Sequence, residues 1–374
     1  MEKIKTVGIV GCGVMGSAIG LSAAASGYDV VFKIREKREP AAVFDEKVTR
    51  VLIKKVEKNR MTREEMERIT RNIKITNHYE DLQDCELVIE SVVETLESKT
   101  GIFRELAKTC SEETLFVSNT STFLIKEVME NVPHPERTAG LHYFFPANIN
   151  PLVEIIRHDD TSLETFMTLR EFAVNSGKTV VEVKDFPGFA INPVFIATYM
   201  LTDSFYGKYN TASLDSISRE ALGLKYGMMW VQNGTGISTC YHAAESMHRR
   251  FCPTDIGFVE MPESLKDCFR NKRHWDLSDG PVIEDKHIRG VVIDRLLGTI
   301  FTLCSHLIEK QIISLTDLEK GIRYSLAWPK GPFSMMNEMG MEKTRQLIVQ
   351  SCFAGPFNMP DHFLQKTPSP WVLA

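Results

Sequence analysis

A short apolar run, Thr6-Val-Gly-Ile-Val10, leads directly into Gly11-Cys-Gly13-Val-Met-Gly16 and then into Ser17-Ala-Ile-Gly-Leu-Ser-Ala-Ala-Ala, a stretch of small helix-compatible residues. A strand, a Gly-x-Gly-x-x-Gly turn and a helix in immediate succession constrain the fold more than any other feature of the chain. Gly11 permits the tight turn, Gly13 lets the backbone approach a pyrophosphate, and Gly16 lets the helix pack closely on the strand. The first N–H groups of the helix are then free to bind phosphate oxygens. The segment predicts a Rossmann-type α/β dinucleotide-binding domain over residues 1–186, with Gly11, Gly13, Val14, Met15 and Gly16 against the cofactor. The plain alternative is a glycine-rich turn with no ligand.

Tyr28-Asp-Val-Val-Phe32 reads as the second strand. In NAD-binding domains an acidic residue at the end of this strand holds the adenosine ribose hydroxyls. Here that position is Ile34, with Lys33 and Arg35 beside it and Lys37 and Arg38 following. The cofactor is therefore NAD or NADP. The Ile34-Arg35 pair leans toward NADP, because cations stand where a 2′-phosphate would lie. A solvated basic loop, with NAD held by other contacts, is the competing reading.

Further along, Arg137-Thr-Ala-Gly140-Leu-His142 is followed by Leu152-Val-Glu154, so a histidine and a carboxylate lie twelve positions apart in an apolar setting. A histidine oriented by a carboxylate is a general acid/base unit. Leu87-Val-Ile-Glu90-Ser-Val-Val-Glu94 is a strand ending in acids, with Lys99 after it, and Phe116-Val-Ser118-Asn119-Thr120-Ser121-Thr122 is a strand ending in a small polar cluster. Gly188-Phe-Ala-Ile-Asn192 opens a helical region. Taken in this order, these segments resemble the 3-hydroxyacyl-CoA dehydrogenase family.

The resemblance implies reversible oxidation of the secondary alcohol of a 3-hydroxyacyl-CoA, with hydride passing to C4 of a nicotinamide. It implies that His142 takes the hydroxyl proton, that Glu154 orients the imidazole and stabilises its cationic form, that Ser121 hydrogen-bonds the reacting oxygen and that Asn192 supports the cluster. It places Glu90, Lys99 and Asn119 along the cofactor with Arg35, and Lys54, Lys55 and Lys58 on the CoA phosphates. Each has a structural alternative: His142 as a satisfied core residue, Ser121 as a helix cap before Phe123, Asn192 as a cap before Pro193, and the lysines as a solvated helix face. The chain departs from the family at Phe145, where His-x-x-Asn-Pro is expected and His142-Tyr-Phe-Phe145-Pro146 stands. Phenylalanine cannot make the amide's hydrogen bonds. The departure predicts a bulky or atypical acyl group packed on Phe145, unless Asn148 or Asn150 compensates. Two other readings stay open: a dehydrogenase of a free hydroxy acid on the same fold, and a degenerate relative that binds cofactor or CoA without turnover.

The second half predicts an all-α region with two related helical modules. Gly188 and Gly290, Asn192 and Asp294, and Leu214-Asp215 and Thr316-Asp317 all keep an offset of 102 residues. A fixed offset over several positions is the mark of a duplication, and each acid suits an N-cap. The expected divisions are copy one over 187–252, a linker over 253–285, copy two over 286–354 and a tail over 355–374 with prolines at 356, 360, 368 and 370. Copy one has drifted at Tyr226-Gly-Met-Met-Trp, where copy two keeps Trp328-Pro-Lys-Gly-Pro332. Single-module relatives form homodimers through this region, whereas two modules in one chain could replace that contact by packing on each other.

The 374 residues carry a net charge of −5 and a pI of about 6.1. That balance leaves no basic footprint for nucleic acid and no polybasic membrane anchor. The eight cysteines are scattered without a Cys-x-x-Cys pair, so no metal site is expected. The expected setting is the cytoplasm, since no leader pattern precedes Thr6 and no uninterrupted apolar run reaches about 18 residues.

Overall fold

The computed structural model describes residues 3–251, 253–364 and 368–373. The chain divides into two compact units, Met1–Asp185 and Phe186–Ala374.

The first unit is built on one sheet of eight strands: β1 (Thr6–Val10), β2 (Asp29–Lys33), β3 (Ile73–Thr76), β4 (Leu87–Glu90), β5 (Leu115–Ser118), β6 (Thr138–Tyr143), β7 (Leu152–Arg157) and β8 (Thr179–Lys184). Their order across the sheet is β3-β2-β1-β4-β5-β6-β7-β8. All neighbours are parallel except β6 and β7. The central strands are nearly continuous apolar runs, as strands covered on both faces must be. Helices α1 (Val14–Ala25), α2 (Pro40–Phe44), α3 (Arg50–Glu57), α4 (Arg63–Arg71), α5 (Leu96–Thr109), α6 (Ile125–Val128) and α7 (Leu163–Asn175) accompany the sheet. A single π-helical turn, Asp45–Thr49, runs from α2 directly into α3, so residues 40–57 form one continuous helical stretch. The small residues of α1 have a packing purpose. A Cβ on Gly20 would stand 2.2 Å from the Phe32 ring, so only glycine lets α1 lie this close to β2.

The register aligns Val10, Glu90, Ser118 and Gly140 in one row at the carboxyl ends of β1, β4, β5 and toward that of β6. In an open α/β sheet, ligands bind beyond this edge, at the point where strand order reverses. Here the reversal lies between β1 and β4.

The second unit is helical: α8 (Ile191–Ser204), α9 (Thr211–Leu222), α10 (Met228–Thr235), α11 (Ile237–Phe251), α12 (Glu263–Arg270), α13 (Lys286–Glu309), α14 (Leu315–Ser325), α15 (Pro332–Met339), α16 (Met341–Ala354) and α17 (Asp361–Leu364). The helices α9, α10 and α11 start 104 residues before α14, α15 and α16 respectively. The offset of 102 read at Gly188 and Asn192 therefore grows by two residues before α9. This corrects the acid pairing: Asp215 matches Glu319 rather than Asp317. Neither caps its own helix, a task done by Asn210 and Ser314. Instead each reaches across to the next helix. Asp215 accepts from Trp230 N at 2.8 Å, and Glu319 accepts from Phe333 N at 2.9 Å. A Cβ on Gly227 or Gly331, again 104 apart, would fall within 2.5 Å of those carboxylates, which explains the glycine in both copies.

The stretch between the copies is more than a linker. It holds α12, and it docks on copy one through Trp275, whose N–H and C=O bond Asn233 at 2.9 Å each, and through Asp279, which accepts from Thr211 N and Ala212 N. The tail is also tied down, with Trp371 bonded to Asn337 and packed on Phe333. Despite its scattered polar residues, α13 is long and apolar enough to cross a membrane by length and composition. It is instead the core helix of this unit, with 72% of its most apolar window buried and α8, α9 and α16 packed around it.

Candidate active site

At the first turn of the sheet unit, backbone geometry demands glycine twice. Gly11 has φ of +102°, and a Cβ there would lie 2.5 Å from the Ser91 carbonyl oxygen. A Cβ on Gly16 would lie 1.9 Å from the Gly11 carbonyl oxygen. Gly13 is different: its Cβ direction is open, with nothing within 4 Å. Gly13 caps α1 without a side-chain acceptor for the first N–H groups, and no acid sits in the first turn. Val14 is 68% exposed. An open cradle ahead of unsatisfied N–H groups is the form a pyrophosphate site takes.

Ile34 is buried, and its N–H bonds the Thr76 carbonyl oxygen at 2.8 Å, extending the β2–β3 pairing. Of the cations expected around it, Lys33 is buried with its ammonium 4.0 Å from the Tyr79 ring centroid, and Arg38 pairs with Glu46. Arg35 and Lys37 are left exposed on a loop whose carbonyls at 35, 36 and 38 are gathered by Asn77. Lys54 and Lys58 are exposed and Lys55 is half-buried, all around the C-terminal end of α3.

Glu90 and Lys99, expected as direct cofactor contacts, are 0% and 1% exposed. Their charges are turned inward: Lys99 Nζ lies 2.9 Å from Glu90 Oε1 and 3.0 Å from Glu94 Oε2. Desolvation works against the ammonium, but the two carboxylates outweigh it and raise the Lys99 pKa. Desolvation likewise pushes Glu94 up. The Lys99 charge and the donors from Thr120 and Ser121 overcome it and hold Glu94 below the ordinary carboxylate range. Glu90 also accepts from the Ser118 hydroxyl and from Val92 N.

Glu94 is the residue the sequence reading passed over. One of its oxygens accepts from Ser121 N at 2.8 Å, Thr122 N at 3.2 Å and the Thr120 hydroxyl at 2.6 Å. It thus fixes the backbone of the loop that presents Ser121. Asn119 secures the same loop from the other side, its Oδ1 accepting from Tyr143 N at 2.8 Å. The first N–H groups of α6 are bound by Asp185, whose carboxyl burial pushes up to about 6.

His142 and Glu154 face each other directly across the antiparallel pair β6–β7. His142 Nδ1 lies 2.7 Å from Glu154 Oε2, and the side chains are 4% and 0% exposed. The Phe144 ring leans on the imidazole at 4.5 Å between centroids. Position along β6 places His142 two residues past Gly140, just beyond the row that ends the parallel strands. Phe145 follows and is 63% exposed. Asn150 is buried, with its Oδ1 bound to Leu152 N, and Asn148 is exposed. Asn192 lies in the first turn of α8 in the helical unit; that helix begins at Ile191 with Ala190 at the cap, so Asn192 does not serve as its N-cap. Among the described residues, no three His, Cys, Asp or Glu side chains gather as metal ligands.

Residues 6–186 match the family model described as 3-hydroxyacyl-CoA dehydrogenase, NAD binding domain, and residues 290–367 match the C-terminal domain of the same family. A probable 3-hydroxybutyryl-CoA dehydrogenase of Bacillus subtilis is 30% identical over 251 residues, which is 66% of this chain and 86% of that one. The chain belongs to the 3-hydroxyacyl-CoA dehydrogenase family. It is an oxidoreductase with a nicotinamide-binding domain. A probable 3-hydroxyacyl-CoA dehydrogenase of Caenorhabditis elegans is 32% identical over 232 residues, covering 61% of this chain and 78% of the relative. The fold of the whole chain is shared with the crystal structure of 3-hydroxybutyryl-CoA dehydrogenase from Escherichia coli, with a TM-score of 0.85 at 19% identity over 99% of this chain and 97% of that one. The second copy of the helical module is the part matched by the family's C-terminal domain, in keeping with the drift of copy one.

Proposed function

We propose that this enzyme interconverts a 3-hydroxyacyl-CoA and its 3-oxoacyl-CoA, with His142 as the acid/base group. The observation that carries the reading is the buried His142–Glu154 contact of 2.7 Å at the sheet edge where the glycine turn opens. The open Gly13 cradle and the free N-terminus of α1 fit a dinucleotide pyrophosphate, held by Gly11, Gly13, Val14, Met15 and Gly16. Bound there, a nicotinamide cofactor supplies the hydride acceptor or donor.

The protein's own part is proton transfer and positioning. Glu154 holds Nδ1 of His142, and Nε2 accepts the substrate hydroxyl proton in the oxidative direction and returns it in the reductive one. A carboxylate beside the imidazole stabilises the cation formed on proton uptake. Ser121 donates to the reacting oxygen, held in place by Glu94 and Asn119, and Asn192 supports the cluster. Glu90 and Lys99 act from beneath, as the ionic anchor of Glu94. Lys54, Lys55 and Lys58 supply an exposed cationic surface for the CoA phosphates.

Two finer assignments follow from the chain's departures. The exposed ring of Phe145, one peptide from Phe144 and three from His142, favours a bulky acyl group over a short linear one. The exposed Arg35 and Lys37, with a buried Ile34 in the place of the ribose-binding acid, lean toward NADP. The test is a turnover screen: reduction of acetoacetyl-CoA and of branched, cyclic and aromatic 3-oxoacyl-CoAs, with NADH and NADPH in parallel. The reading predicts turnover with the bulky substrates ahead of acetoacetyl-CoA. Reduction of the free acids in place of the thioesters would overturn it.

A further inference from the structure

The turn between β6 and β7 carries two large apolar side chains in solvent, Phe145 at 63% and Ile149 at 72% exposure. Side chains this exposed have little packing of their own to fix them, so the backbone beneath must do it. Part of that backbone closes on itself: Ile149 N and Asn150 N both bond the Pro146 carbonyl oxygen at 2.8 Å. The rest depends on Lys178, at the loop entering β8. Its side chain is drawn inside, with the residue 8% exposed. Its ammonium donates to the carbonyl oxygens of Ala147 at 2.5 Å and Asn150 at 2.8 Å. The Tyr143 ring lies 6.0 Å away. No carboxylate pairs with this ammonium among the described residues, and burial alone pushes its pKa below the ordinary lysine value.

A buried cation without a counter-ion is costly to keep. A methionine would fill the same space without that cost. What the ammonium adds is a pair of charge-assisted hydrogen bonds, stronger than neutral ones, to the two carbonyls that bracket residues 147–150. We propose that Lys178 is a positioning residue for acyl recognition: it clamps the 145–150 turn, fixes Phe145 and Ile149 beside the His142–Glu154 pair, and so sets the acyl-chain selectivity of the site. The proposal rests on the functional reading above. Without the clamp, both carbonyls lose their donor, the turn loosens, and a long acyl chain loses its apolar contact. A short acyl chain loses less. The chemistry at His142 is spared, because the β6–β7 pairing sets His142 opposite Glu154.

The experiment is steady-state kinetics of the full chain on acetoacetyl-CoA and 3-oxodecanoyl-CoA, with NADH and NADPH, for wild type, Lys178→Met and Lys178→Arg. Lys178→Met is expected to raise KM for 3-oxodecanoyl-CoA by about ten-fold, to raise that for acetoacetyl-CoA less, and to leave kcat and the cofactor KM within about two-fold. Lys178→Arg keeps the charge and should recover most of the lost KM. An unselective change, or a joint fall in kcat and cofactor affinity, marks a purely structural lysine and overturns the proposal. If Lys178→Met does not fold, Ile149→Ala decides: the same selective rise supports the clamped turn as the acyl contact, and no change overturns it. A wild-type chain that turns over neither substrate overturns this proposal, and one that also turns over no branched, cyclic or aromatic 3-oxoacyl-CoA overturns the functional reading with it. Wild-type turnover with an unselective Lys178→Met overturns this proposal alone.

Discussion

Glu154 and Asp203 are both wholly enclosed carboxylates, one in each unit, and they are set up for opposite ends. Glu154, on β7, faces the titratable imidazole of His142 at 2.7 Å. Asp203, on α8, faces the amide of Gln232, whose Nε2 donates to Oδ1 at 2.8 Å. Asp203 Oδ2 and Gln232 Oε1 have no partner among the described residues. Burial drives the Asp203 pKa far up, and one amide hydrogen bond does little to offset it. The difference lies in the partner. A base that can become a cation gives a buried carboxylate a reason to stay charged, and the pair can pass protons. A neutral amide cannot, so burial favours the protonated carboxyl. The other helical copy shows the apolar solution: the residue 104 positions after Gln232 is the fully buried Met336. Substitutions at the sheet edge are therefore expected to change kinetics and spare stability, and the substitution at Asp203 to do the reverse.

The largest effect of a partner change is expected at Glu154. Glu154→Gln keeps the shape and removes the charge that stabilises the imidazolium, so kcat should fall by about two to three orders of magnitude. Cofactor affinity, measured by fluorescence titration, should hold. A matching loss of thermal stability without loss of kcat would place Glu154 with Asp203 as a packing residue. Next in size is the ribose loop. Ile34→Asp with Arg35→Ser should shift the NADH/NADPH preference toward NADH by about ten-fold, since a carboxylate accepts both ribose hydroxyls and repels a 2′-phosphate. A wild type that already prefers NADH strongly would show that Arg35 is only a solvated cation.

Smaller still is Phe145→Asn, which restores a polar group beside the dyad. It should improve acetoacetyl-CoA turnover several-fold relative to bulky 3-oxoacyl-CoAs, against a loss of about 3 kcal/mol where a needed donor is missing altogether. Unimproved turnover of acetoacetyl-CoA would make Phe145 a neutral replacement. The smallest effect is on stability. The folded state raises the Asp203 pKa, so it keeps a proton that the unfolded chain releases above its ordinary value near 4. Stability is therefore lost as pH rises from there toward the folded pKa. Asp203→Asn is neutral at every pH and should raise Tm by about a few degrees at pH 8, with little change at pH 4 and none in kcat. A Tm gain that is the same at both pH values would show that Asp203 is not a titrating group.

The sequence made some of this visible and hid the rest for identifiable reasons. β1, the glycine turn and α1 were legible because Gly11 and Gly16 each meet a local backbone demand and Gly13 leaves the cradle open. The His142–Glu154 pair was legible from the residue types and the family resemblance, although the strand register that opposes them is a property of the antiparallel fold-back. Glu94 was hidden, because one acid in a run that also holds Glu90 says nothing until Ser121 N, Thr122 N and the Thr120 hydroxyl are seen converging on it. Glu90 and Lys99 were noticed for the right segment, but only burial shows that they neutralise each other inside. Lys178 is a lysine in a short loop, and the carbonyls it binds lie about thirty residues earlier. The repeat was legible at Gly188 and Gly290, yet a two-residue difference before α9 moved the partner of Asp215 from Asp317 to Glu319. The segment between the copies reads as a linker from its prolines and charges, and only Trp275 and Asp279 reveal how firmly it is docked.

The central claim is that His142, oriented by Glu154, moves the substrate proton. The most direct measurement is the kcat of His142→Ala for reduction of a 3-oxoacyl-CoA that the wild type accepts, alongside cofactor affinity by titration and folding by thermal melt. The account predicts a fall in kcat of about two to four orders of magnitude with cofactor affinity and Tm nearly unchanged. Near-normal turnover in a folded His142→Ala would contradict it.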